Sequence, residues 1–388
     1  MKKTLLALSV AGAFAASAMA AQVEVYGLID MGLSYTHSDA DQAGVANEDQ
    51  LRMVQGQEFG SRFGFRGSED LGNGYKIGFT LENGFHPDTG ALYTGGAIFD
   101  REANIDVQTP YGEFRFGRLP IFGSTLAANG LFRAIDPLFA NTTRGFGSGM
   151  ASASMWTRVS NAVSYRTPTF AGLTGYAMFS FKNDNDTEAK TGVEGKADAD
   201  RYASLALRYQ NGSFEGIFVA DTTMYGNHRY LAADERTGHD DDGMTFTLGG
   251  NYTFDNGLKV LVFGQYFKDQ ELNYQQRGGV LSTGIREMTK TTSVTGYGFL
   301  DGFGLSLGVN YPIGGGVAKA QIGYRDAENE IDTKFTRWTV AGAYDYPLSK
   351  RTSVYVMGGY TQEKIELKNG PDATPNGFEL TSGLLHRF

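Results

Sequence analysis

The sequence predicts an all-β fold, a transmembrane antiparallel β-barrel of about 16 strands whose third long loop folds inward. Stretches of roughly ten residues alternate between apolar and polar side chains along the whole chain, which is the period of a strand with one apolar face. Short turns and long loops alternate between these stretches. Tyr and Phe concentrate toward the ends of the stretches, where they would meet the two membrane surfaces.

The N-terminus predicts an exported chain. Lys2 and Lys3 precede an apolar run, and Ala18-Met19-Ala20 fits a cleavage site of the secretory type. We therefore expect residues 1–20 to be a signal peptide and residues 21–388 to form a single barrel domain.

Composition excludes several other classes of protein. The chain has a net charge of −9, whereas a nucleic-acid-binding protein would have a basic surface. It has no Cys, so it forms no disulfide, and it has no apolar run long enough for a membrane-spanning helix after residue 20. The 53 Gly, 27 Phe and 21 Tyr are typical of strands and turns.

The first strand shows the alternation most clearly. Val23, Val25 and Leu33 lie on one face, and Asp30 and Ser34 lie on the other. The same pattern predicts sixteen strands in all, at residues 23–35, 61–67, 76–82, 103–108, 113–118, 158–167, 173–183, 201–210, 213–221, 244–254, 258–267, 303–312, 317–327, 335–347, 352–361 and 377–388.

The connections form two sets. Turns such as Asn211-Gly212 are typical of tight hairpins. The long connections are mostly polar, and we expect them at the opposite rim, at residues 36–58, 86–97, 184–200, 222–243, 269–292, 328–334 and 362–376. A soluble β-sandwich would also alternate, but the aromatic residues at the strand ends favour the membrane barrel.

The third long connection, residues 119–156, is unusually apolar and has little charge. It lacks the composition of a disordered segment, so we expect it to pack inside the barrel. Ser124 could cap a short helix that Pro137 ends. The apolar side chains that we expect against the inner wall are Leu126, Phe132, Ile135, Leu138 and Phe139; a sugar-stacking track is the alternative.

Several motifs together resemble the general diffusion porins of Gram-negative outer membranes, and most closely their betaproteobacterial branch. They are SRFGFRGSEDLGNG, TLENGF, EFRFGR, VSYRTP and the terminal GLLHRF. The resemblance implies a homotrimer of sixteen-stranded barrels in the outer membrane, in contact with lipid and lipopolysaccharide. It also implies that the barrel-assembly machinery recognises Phe388, and that the protein is a passive channel without a cofactor or an enzymatic activity.

The resemblance also assigns residues to a pore constriction. Arg62, Arg118 and Arg158 match the family's basic wall residues, and Glu82 matches an acidic one. Arg118 would point outward by simple alternation, so a bulge at Gly117 is needed to turn it inward.

The third loop departs from the family's pattern. It reads PLFA at residues 137–140 where the family has PEFG, so a glutamate is missing. Asp136 remains as the clear acid of the loop, and Arg133 and Arg144 add positive charge or anchor the loop to the wall. With Arg66 lower in the lumen, these residues predict a positive constriction that prefers anions, although the chain is acidic.

The predicted function is therefore passive diffusion of small hydrophilic solutes. The alternatives are a channel selective for sugars or small organic anions, an outer-membrane enzyme, and an adhesin that acts through its loops. No nucleophile motif and no phosphate-binding loop is present in the sequence. Acidic stretches near residues 39–41, 184–188 and 239–242 are predicted to be solvated loops, with bridging by divalent cations as the alternative.

Overall fold

A computed structural model describes residues 22–127, 129–138, 147–183, 192–226, 241–273, 276–277 and 279–388. Its strands are all antiparallel and form one sheet, and the last strand pairs with the first, so the sheet closes into a barrel. The strands are β1 Gln22–Asp39, β2 Glu48–Gln55, β3 Arg62–Gly72, β4 Tyr75–Gly84, β5 Glu102–Thr109, β6 Gly112–Pro120, β7 Arg158–Arg166, β8 Leu173–Ser180, β9 Arg201–Asn211, β10 Phe214–Met224, β11 Gly243–Thr253, β12 Lys259–Gln270, β13 Leu300–Ile313, β14 Gly316–Asn329, β15 Lys334–Pro347, β16 Thr352–Glu366, β17 Asp372–Ala373 and β18 Asn376–Arg387.

Eighteen strand segments make sixteen barrel strands among the described residues. Both β2 and β3 pair with β1, at different heights, so they are one strand with an interruption. The two-residue β17 pairs with the end of β16, beyond the part that pairs with β18. The predicted antiparallel barrel of about 16 strands is confirmed.

The interruption between β2 and β3 corrects one prediction. Residues 36–58 were expected to be a loop, but β1 continues to Asp39 and β2 begins at Glu48. Polar residues dominate β2, and only Leu51 and Met53 give its outer face apolar character, at 72% and 60% exposure. Between the two segments the chain leaves the wall, and the carboxylate of Asp30 accepts hydrogen bonds from the backbone N–H groups of Glu58 and Phe59, both at 2.8 Å.

Alternating side chains face opposite sides of the wall. In β1, Asp30 and Ser34 are fully buried toward the interior, whereas Val25 and Leu33 are 60% and 54% exposed on the outside. Outward-facing apolar residues recur around the barrel. This apolar outer belt is the surface that a membrane-spanning barrel presents to lipid, since a closed sheet pairs its backbone groups between strands.

The helices are short and lie in the long connections. The α-helix α1 is Ser282–Thr289, and 3₁₀ helices occupy Leu131–Ala134, Ser148–Met150 and Gly279–Leu281. Within the described part of the chain, none of the helices has the length and the apolar content needed to cross a membrane.

The third long loop packs inside the barrel. Phe122, Phe132 and Ile135 form a buried cluster with Ile217 and Phe263 of the wall. The expected helix is shorter than predicted: it starts at Leu131, and Gly130 provides no side-chain cap. Ser124 instead donates a hydrogen bond to the carbonyl oxygen of Ile121, and its own oxygen accepts one from the N–H of Leu126.

Glycines on the inner wall make room for this loop. A Cβ atom on Gly304 of β13 would lie 1.6 Å from the carbonyl oxygen of Ala151, and one on Gly308 would lie 2.4 Å from the ring of Pro137. These contacts exclude any side chain at either position without a shift of the backbone. The wall and the loop therefore fit each other closely.

The connection between β12 and β13 also folds inward in its described residues, 271–273, 276–277 and 279–299, which we call the second inward loop. It was predicted to be a polar loop at the rim. Its residues Leu281, Ile285 and Met288 instead pack against Phe335 and Ile365 of the wall. The helix α1 thus buries its apolar side inside the mouth of the barrel.

Buried charges fix the second inward loop to the wall. Arg325 and Arg337 lie 3.1 Å and 2.9 Å from the carboxylate oxygens of Glu363, and the side chains of all three residues are fully buried. Arg337 also donates a hydrogen bond of 2.8 Å to the carbonyl oxygen of Gln276 in the loop, and Tyr297 of the loop donates one to Glu363. Such a network stabilises a single position of the loop against the wall, because each buried charge needs its partners.

Candidate functional site

A cluster of charged side chains lies on the inner wall at the long-loop ends of β3 to β7. Glu82 of β4 is its centre. Its carboxylate accepts a hydrogen bond of 2.6 Å from Nε of Arg101 and one of 3.0 Å from the hydroxyl of Tyr26, and Nη1 of Arg62 lies 3.7 Å away. Arg62 also donates to the carbonyl oxygen of Gly60. These contacts hold two guanidinium groups beside one carboxylate.

Arg101 was missed in the sequence. It precedes β5, outside the alternating run that identified the strand, so no pattern marked it. Its position depends on Gly60, where a Cβ atom would lie 2.9 Å from Nη1 of Arg101. The neighbouring Asp100 is also buried and accepts a hydrogen bond of 2.7 Å from the N–H of Gly84.

Arg118 reaches the interior through an irregularity in the sheet. The register between β6 and β7 shifts between Gly117 and Leu119, and Gly117 has a φ of 131°, which favours glycine. The guanidinium of Arg118 donates to the carbonyl oxygen of Asp100 at 2.6 Å and to the hydroxyl of Ser160 at 2.8 Å.

Arg158 begins β7 and pairs in register with Pro120. It lies within electrostatic range of Arg101, Arg118, Glu82 and Glu102. Its Nε atom is buried and has no hydrogen-bond partner among the described residues. Arg158 is therefore held between two arginines and two carboxylates, and its Nε makes no hydrogen bond to the described residues.

The third loop contributes Arg133 to the same region. Its Nε donates to the carbonyl oxygen of Thr125 at 2.7 Å, so the side chain is tied to its own loop. The guanidinium group of Arg133 lies within electrostatic range of Glu102 and Glu82 on the wall. Arg133 is thus held by its own loop and adds positive charge opposite the carboxylates of the wall.

Two of the predicted site residues, Arg66 and Asp136, lie outside this cluster. Arg66 forms a two-pronged pair with Glu24, at 2.8 and 2.9 Å, toward the short-turn end of the barrel. Asp136 is 3% exposed, and its carboxylate accepts a hydrogen bond from the N–H of Leu138, so it shapes the loop. Arg144 lies outside the described residues.

The cluster has more positive than negative charge. Five arginines surround three carboxylates, which leaves a formal charge of about two positives at this level of the lumen. The arginines are Arg62, Arg101, Arg118, Arg133 and Arg158, and the carboxylates are Asp100, Glu82 and Glu102. Such a cluster of fixed charge can attract small anions and repel cations. Among the described residues, no group of three or more His, Cys, Asp or Glu side chains could hold a metal ion.

Comparisons with known proteins agree with this architecture. A family model described as Gram-negative porin matches residues 7–366. An outer membrane porin of Bordetella pertussis is 32% identical over the full length of both chains, and outer membrane porin protein 32 of Delftia acidovorans is 30% identical over 92% of this chain and 88% of that one. The solved anion-selective porin from Comamonas acidovorans superposes with a TM-score of 0.67 at 25% identity, over 95% of this chain and all of that one.

Proposed function

The chain belongs to the Gram-negative porin family and is an outer-membrane channel for passive diffusion, and from this premise we propose that it favours anions. The observation that carries the proposal is the arginine-rich cluster, in which five guanidinium groups outnumber three carboxylates. The Comamonas relative, which is described as anion-selective, has the same fold.

We propose that the narrowest part of the pore lies between this cluster and the third loop. Arg62, Arg101 and Arg158 would supply its positive wall, and Arg133 would supply positive charge from the loop. Arg118 would shape the entrance, and Arg144 would add charge to the loop. Glu82 would offset part of the positive charge of Arg62 and Arg101, since its carboxylate is close to both.

Reconstitution in a planar bilayer tests this function. We expect stepwise, ohmic conductance, with chloride crossing more readily than potassium. Folded protein that gives no conductance steps would contradict the proposal. Hydrolytic activity on lipid or peptide substrates would favour an enzyme instead, which we do not expect from a porin.

Assembly is part of the same proposal. We infer a homotrimer surrounded by lipid and lipopolysaccharide, with the barrel-assembly machinery recognising Phe388. The backbone of Phe388 pairs with Gly27 at 3.0 and 3.2 Å, and a Cβ atom at Gly27 would lie 2.3 Å from the Phe388 ring. The last residue therefore helps to close the barrel. Deletion of Phe388 should reduce the amount of trimer in outer membranes, as measured by crosslinking.

A further inference from the structure

A cavity of about 500 Å³ lies between the third loop, the wall and the second inward loop. We call it the vestibule cavity, since it lies at the long-loop side of the arginine cluster. Its walls come from β6 and β7, from the end of the third loop, and from the second inward loop, and they include Arg118, Trp156, Arg158, Asn183, Glu271 and Arg277. A volume of this size accommodates a small organic molecule.

We propose that the vestibule cavity binds an organic anion in which a carboxylate is attached to a planar ring. This inference deepens the proposed function, since it names a class of solute that would pause on its way to the narrowest part of the pore. Charge gives the first reason: three arginines line the cavity with one carboxylate, Glu271. An anion is the complementary ligand, and guanidinium groups bind carboxylates in a fixed geometry.

Trp156 gives the second reason. It is the only aromatic side chain among the described residues that line the cavity, and it also packs against the buried cluster of the third loop. The ring is thus fixed in place, and an indole held beside guanidinium groups favours planar ligands through stacking. A chloride ion has no planar surface to stack on the indole.

Unpartnered polar atoms give the third reason. Asn183 is 2% exposed, and neither atom of its side-chain amide has a hydrogen-bond partner among the described residues. The indole nitrogen of Trp156 and Nε of Arg158 are also buried without a hydrogen-bond partner among the described residues. Buried polar groups of this kind are costly unless a ligand or water satisfies them.

The cavity is built before any ligand arrives, because hydrogen bonds join the two inward loops. The backbone N–H of Ser154 donates to the side chain of Gln276 at 2.7 Å, and the backbone N–H of Asn273 donates to the carbonyl oxygen of Ser154 at 3.0 Å. Arg277 donates from Nε to the carbonyl oxygen of Leu272 at 2.8 Å, which fixes its guanidinium at the cavity wall. Arg277 is therefore the residue whose loss should affect binding most selectively.

Tryptophan fluorescence tests the proposal without relying on conductance. The sequence contains two tryptophans, and Trp338 faces outward with 43% exposure, so a Trp338→Phe background leaves Trp156 as the reporter. Titration of the full-length folded protein with benzoate should quench its emission with saturation. Arg277→Gln should weaken the apparent affinity by about ten-fold, the effect of losing one charge-assisted hydrogen bond.

Arg286 provides a matched control, because it lies in the same loop with its side chain 68% exposed and 3.8 Å from Glu287. Arg286→Gln should change the affinity less than two-fold. Cyclohexanecarboxylate, which has the same charge but a puckered ring, should bind clearly more weakly than benzoate. Quenching that does not saturate, equal affinity in Arg277→Gln, or equal binding of the two acids would each overturn the proposal.

Bilayer recordings separate this inference from the proposed function. With benzoate present, we expect brief interruptions of the chloride current that become rarer in Arg277→Gln. A protein that conducts chloride but shows neither interruptions nor quenching would refute the vestibule site and leave the channel function intact. A protein that binds benzoate but conducts no ions would refute the channel function instead.

Discussion

Replacing Arg62 and Arg158 together with Gln should abolish the anion preference of the channel. The two positions are chosen because Glu82 keeps its other partners in the double variant: Arg101 at 2.6 Å and the hydroxyl of Tyr26 at 3.0 Å. The variant therefore removes charge without leaving this buried carboxylate alone. The formal charge of the cluster falls from about two positives to about zero.

The size of the effect follows from Coulomb's law. One unit charge about 7 Å from an ion in a water-like medium contributes about 0.6 kcal/mol. Removing an arginine raises the energy of an anion and lowers that of a cation by this amount, so the permeability ratio should fall about 8-fold per arginine and about 60-fold for the pair. Salt screens these charges, so the effect is largest at low ionic strength.

The assay is the zero-current potential across a planar bilayer with a KCl gradient. Arg208→Gln is the matched control, because Arg208 also faces the interior but lies at the short-turn end of β9, 2.6 Å from Glu215. We expect the potential of the double variant to fall to near zero or change sign, and that of the control to stay close to the parent's. A double variant with the parent's potential would refute the placement of the narrowest point.

Three further predictions follow from the packing of the inner wall. Glu82→Gln should raise the anion-to-cation permeability ratio by up to about 8-fold, since it removes one negative charge; a ratio shifted toward cations would mean that Glu82 acts mainly by positioning the arginines. Gly304→Val should displace the third loop and change single-channel conductance, whereas Gly358→Val, where a Cβ atom has its nearest neighbour at 3.4 Å, should leave conductance nearly unchanged; equal effects of the two would contradict the seating of the loop. Glu363→Gln should destabilise the second inward loop by about 3 kcal/mol, since two buried arginines lose their counter-charge, and an unchanged melting temperature with unchanged current noise would argue against that role.

The barrel could be predicted from the sequence because its physical requirement is local. A strand that faces lipid on one side and the lumen on the other must alternate, as Val25 and Asp30 show in β1. Tight turns such as Asn211-Gly212 then separate the strands. The inward third loop was also predictable, since apolar residues such as Phe132 and Ile135 need a surface to cover.

The parts that could not be predicted depend on contacts between distant residues. The strand β2 has only two outward apolar residues, Leu51 and Met53, and the break before Arg62 is held by Asp30 of another strand. Arg101 enters the cluster through its contact with Glu82, and nothing in its neighbours along the chain marks it. The position of the second inward loop likewise depends on Arg325 and Arg337, which look like ordinary lumen charges in the sequence.

The most direct test of anion preference is the zero-current potential of the unmodified protein in a planar bilayer with a tenfold KCl gradient. Potassium and chloride diffuse at nearly the same rate in water, so the sign of the potential reports the charge of the pore alone. We predict that the zero-current potential has the sign that results when chloride crosses more readily than potassium, because the five arginines outnumber the nearby carboxylates. A potential of the opposite sign would contradict a positive constriction at Arg62, Arg101 and Arg158.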